Sequence, residues 1–168
     1  MSRISRNALV QAITRVRAMD AKQKEQLADE IFVAQPHLLG SFLVQRQLGV
    51  SLEKMEFLLD ILLVSFQAMK ESGLVWPVIT EDDLDRQSQC FVGIVKFGDG
   101  LSEGLRHRSM RQYVEEHPEK ELLAYIQMET MSWLKRIVAE KSDKYLILAA
   151  WTIANCIAFV PMKTTPAA

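Results

Sequence analysis

From Tyr145 to Val160 the chain runs for sixteen residues without one charged side chain. An earlier stretch, residues 52 to 71, is nearly as apolar once it is wound at about 100° per residue. Leu52, Met55, Leu58, Leu59, Leu62, Leu63, Phe66 and Met69 then cover one broad side, and Phe57, Ile61, Val64 and Ala68 another. Only Glu53, Glu56, Asp60 and Gln67 form a narrow polar stripe. Helices with so little polar surface must be sandwiched between neighbours. The expected fold class is therefore all-α: an antiparallel helical bundle of about seven to eight helices with these two at its centre.

Crossing a membrane is the competing use of such a segment. Sixteen helical residues span about 24 Å, short of the roughly 30 Å hydrocarbon layer. Thr152, Asn155, four alanines and Cys156 lower the apolarity further, so the segment reads as a core helix and no membrane insertion is expected. Asn155 then needs a buried partner, with Asp60 or a backbone carbonyl as candidates.

Punctuation along the chain supports the helical reading. Leu9, Ala12, Ile13 and Val16 share one face of a first helix over residues 4–18. Asp20 with Gln23 opens a second, and Pro36 a third that reaches Leu48. Gly49 and Ser51 mark the next boundary. Thr80 with Asp83 opens a fifth helix ending near Gly98. Gly100 and Gly104 break the stretch to His117 into one or two short helices. Pro118 starts an amphipathic element to about Ala139, and Ser142 or Asp143 caps the last. Residues 1–163 read as one domain, followed by a short tail at 164–168.

The 20 basic and 21 acidic residues leave a net charge of −1, so bulk charge draws the chain toward neither nucleic acid nor anionic lipid. Cys90 and Cys156 lie far apart in apolar stretches and read as buried thiols of a reducing, cytoplasmic compartment. The N-terminus lacks a continuous apolar h-region, and no cleavable signal peptide is expected.

Three segments carry functional echoes. Residues 42–59, with Arg46-Gln47-Leu48-Gly49-Val50-Ser51 at the bend, resemble a helix-turn-helix. Its exposed recognition positions would be Leu52, Glu53, Glu56 and Phe57, which repel or ignore phosphates, and Gln45 is large for the crossing; an ordinary helical corner is expected. Arg3, Arg6, Arg15 and Arg17 make the first helix basic, suited to nucleic acid or a surface contact, or else to acids elsewhere in the fold. Gly98 and Gly100 with Arg106, His107, Arg108 and Arg111 could cradle an anionic ligand within residues 96–111, although the spacing fits no phosphate-loop pattern.

His37, His107 and His117 are widely spaced and sit in no ligand motif, so no metal or cofactor is expected; Glu115, Glu116 and His117 read as exposed helix-end residues. No nucleophile elbow or paired base argues for catalysis. Methionines such as Met55, Met69 and Met131 read as core filling. The functional expectation is a non-catalytic protein–protein interaction or regulatory module acting as a homodimer, since two such apolar helices leave surface for a partner copy. A DNA-binding regulator and an anionic-ligand protein are the alternatives.

Overall fold

Helices begin where a side chain can hold an open backbone N–H. Ser5 Oγ accepts from Ala8 N at 3.1 Å and Ser51 Oγ from Lys54 N at 3.3 Å. Asp20 with Gln23, and Thr80 with Asp83, close capping boxes. In the computed structural model, which describes residues 1–163 apart from the side chain of Phe97, these residues open α1 (Arg6–Ala18), α4 (Leu52–Glu71), α2 (Ala21–Ala34) and α5 (Glu81–Asp99). Pro36 opens α3 (Pro36–Leu43), and α6 (Glu103–Glu116), α7 (Lys120–Leu134) and α8 (Asp143–Phe159) complete the set. The tail at 164–168 lies outside the described residues.

The protein is an all-α helical bundle with α4 and α8 at its centre. α4 packs against α1, α2, α3, α7 and α8, and α8 also touches α5. Every residue from Ile61 to Met69 is buried, as is every residue from Ala150 to Ala158. Burying each large aliphatic side chain of this core contributes about 1.5–3 kcal/mol, which offsets the backbone entropy lost on helix formation. No helix among the described residues is long and apolar enough to cross a membrane.

Several boundaries differ from the sequence reading. α3 stops at Leu43 and tightens into a 3₁₀ turn, Val44–Arg46, instead of reaching Leu48. Gln45 O accepts from Val50 N, Arg46 donates to Val50 O at 2.8 Å, and Gly49 takes φ +87°, so the chain turns back early. α5 runs through Gly98 to Asp99, leaving Gly100 at its end. α6 is one helix across Gly104, because that glycine falls in the first turn, where few backbone bonds depend on it. α7 ends at Leu134, five residues before Ala139.

Some side chains also sit differently. Cys90 is exposed, while Cys156 is buried and both thiols are free. Met131 is 55 % exposed and Met128 60 %, so Met131 is not core filling. Leu52 faces solvent and Gln67 is buried, bonded to Glu71, reversing their expected places on α4.

Candidate functional site

The polar stripe of α4 walls an open cleft. Glu53, Glu56 and Asp60 stand on one side. Glu129 and Trp133 of α7, with Arg136 and Glu140 beyond its end, stand on the other. The cavity measures about 590 Å³, within the usual range of about 300–1,000 Å³ for binding clefts. Phe57 and Trp133 line it and stack, their rings 4.4 Å apart and 9° from parallel.

Five carboxylates meet two cationic side chains in this lining, and most of the charge is already committed. Lys54 Nζ donates to Asp143 Oδ1 at 2.7 Å and to Val138 O at 2.8 Å, and pairs with Glu140 at 2.8 Å. These bonds fasten the segment after α7 onto the start of α4. Desolvation pulls the Lys54 pKa down, but the bonds and charges of Asp143 and Glu140 outweigh it and hold the pKa above 10.5. Asp60 pairs with Lys24 at 3.2 Å and Glu129 with Arg17 at 3.5 Å. Glu53 and Glu56, both exposed, have no ion-pair partner among the described residues.

A second polar cluster is buried. His117 Nδ1 accepts from Glu119 N at 3.1 Å, so its proton sits on Nε2, which donates to Asn155 Oδ1 at 2.9 Å. Tyr113 OH donates to the same oxygen at 3.1 Å. The partner of Asn155 is thus this His–Tyr pair, not Asp60 or a backbone carbonyl. Glu119, wholly buried, accepts from Ser2 Oγ, Arg3 N and Ile4 N. The cluster binds the N-terminal segment to the start of α7. His117 is a buried hub, not the exposed helix-end residue the sequence suggested.

No family model, curated protein or solved structure matches this chain. Its chemistry rests on the geometry alone.

The basic residues of the first segment do not form one surface. Arg3 donates to Ile157 O and Val160 O at 2.9 and 2.7 Å, satisfying carbonyls at the end of α8. Arg15 pairs with Glu71 at 2.8 Å, Arg17 with Glu129, and Arg6 is exposed. Of the proposed anion cradle, Gly98 lies within α5 and Gly100 at its end, and Arg106 Nε donates to Gly98 O at 3.3 Å. His107, Arg108 and Arg111 are exposed and lie within about 100° of one another around α6, turned away from Arg106. At the 42–59 corner, Leu52, Glu53 and Glu56 are exposed, but Phe57 is buried against Trp133. No group of three or more His, Cys, Asp or Glu among the described residues could hold a metal ion.

The α4 wall of the cleft was visible in the sequence as a polar stripe. Its other wall was not, because nothing local ties Trp133 or Glu140 to α4. His117 and Glu119 were missed for the same reason.

Proposed function

We propose that this chain is a non-catalytic protein–protein interaction module that takes a basic segment of its partner into the cleft between α4 and α7. The observation that carries this reading is the pairing of free carboxylates with an aromatic stack. Glu53 and Glu56 lack cationic partners among the described residues, and Phe57 and Trp133 line the same space. Carboxylates attract a guanidinium or ammonium group, and exposed Val138, which lines the cleft with the buried stack, offers its alkyl stem an apolar contact. Lys54, held by Asp143, braces the far wall so that the cleft exists before a partner arrives. Self-association as a homodimer in the cytoplasm belongs to the same reading, resting on the cleft's charges and not on α4 and α8, which are covered within one chain; the two free thiols support a reducing compartment.

Titration calorimetry with a hexa-arginine peptide tests it. Saturable binding is expected at low salt, weaker at physiological salt and abolished in the Glu53→Gln/Glu56→Gln variant, with hexa-glutamate inert. Equal binding by the variant, or none by the wild type, would remove the cleft from consideration.

A further inference from the structure

We infer that the basic segment received by the cleft is the stretch of α6 around Arg108 and Arg111 from a second copy of this chain. The inference rests on the interaction reading above and adds the identity of the partner. Residues 103–109 of α6 are all exposed, so this half of the helix stands clear of the bundle. His107, Arg108 and Arg111 share one outward side of it, and neither arginine has an ion-pair partner among the described residues. The same chain therefore carries two open arginines on one helix and two open glutamates on another, at Glu53 and Glu56.

Within one molecule these groups do not meet; between two copies they are complementary. Arg108 and Arg111 recur at i and i+3 on α6, as Glu53 and Glu56 do on α4, so both pairs have the same rise of about 4.5 Å. A helix laid along the α4 stripe can match both charges together. Leu105, 47 % exposed on the same half of α6, supplies an apolar side chain for Val138, the exposed apolar residue of the cleft lining. A net charge of −1 leaves little general repulsion between copies.

Charge reversal with complementation decides the matter. Sedimentation velocity of the full chain at low salt should show self-association that weakens as salt is raised. Glu53→Lys/Glu56→Lys and Arg108→Glu/Arg111→Glu should each lower self-affinity about tenfold or more. An equimolar mixture of the two variants should associate again, because each reversed surface then faces an opposite charge. All four positions are exposed, and circular dichroism of each variant checks that it is folded; Arg108→Gln/Arg111→Gln gives a milder second test. A wild type that stays monomeric at high micromolar concentration, or reversed variants that associate as well as the wild type, overturns the inference. Hexa-arginine bound by a strictly monomeric protein would leave the cleft reading standing and remove the second copy. Loss of both results would remove the two together. Binding of the wild type, but not of the arginine variant, to duplex DNA or anionic vesicles without self-association would assign α6 to that surface instead.

Discussion

Lys54 Nζ lies 2.7 Å from Asp143 Oδ1, and the two side chains are only 10 % and 8 % exposed. This pair joins the first turn of α4 to the first turn of α8, the two helices most fully enclosed by the others. Asp143 Oδ2 also accepts from Glu140 N at 2.8 Å, so one carboxylate orders the segment that closes the cleft.

Removing one partner leaves the other charged and poorly solvated. Asp143→Leu and Lys54→Met are each expected to lower the melting temperature by several degrees. The double variant Lys54→Met/Asp143→Leu should recover much of that loss, since it buries no charge. Thermal melts of the four proteins form the cycle, and additive losses would show that the pair is not coupled. Because the folded pKa of Lys54 is raised, the pair's contribution is complete below 10.5 and is lost as pH climbs through the higher folded value.

His117 gives a dependence at the acid side. Burial pushes its pKa down, against the opposing effects of the Asn155 bond and the Glu119 charge. The unfolded chain therefore takes up a proton that the folded one resists. Stability from this site is present above about pH 6.5 and falls as pH drops through the unfolded value toward the folded one. Urea titrations between pH 7.5 and 5 should show a slope that flattens in His117→Gln. An imidazole titrating at or above 6.5 by NMR would contradict the assignment. The Asp83 carboxyl, held low first by the Thr80 backbone N–H, acts in a separate window below 3.8.

Glu119 holds the N-terminal segment through three donors. Glu119→Ala strands the buried Ile4 N–H and frees Ser2 and Arg3, at an expected cost of about 2–4 kcal/mol. Hydrogen exchange should rise first over the N-terminal residues and the end of α8, where Arg3 caps carbonyls. Unchanged protection there would show that the other contacts suffice.

Ser65 offers the opposite sign. Its hydroxyl is buried in the middle of α4 with no hydrogen-bond partner among the described residues. Ser65→Ala removes an unsatisfied polar atom and gains helix propensity, and is expected to stabilise the fold by about 1 kcal/mol. Denaturant unfolding measures it; a loss of stability would mean that the oxygen is satisfied by water.

What the residues determine without tertiary information is local or periodic. Capping at Asp20, Ser51 and Thr80 depends on neighbours three residues away, and the apolar breadth of α4 and α8 depends only on helical repeat. Both were legible, as were the helical class and the acidic stripe on α4. Contacts across the chain were not. Lys54 and Asp143 are 89 positions apart, His117 and Asn155 are 38, and Glu119 and Ile4 are 115. No propensity or spacing rule links such residues, because their meeting depends on how the helices pack. Packing likewise sent Met131 to the surface and ended α7 at Leu134, where the Lys54 bonds to Val138 and Asp143 hold the following chain against α4. Periodicity selects the faces that must hide; only the assembled bundle decides which charged groups end up facing one another.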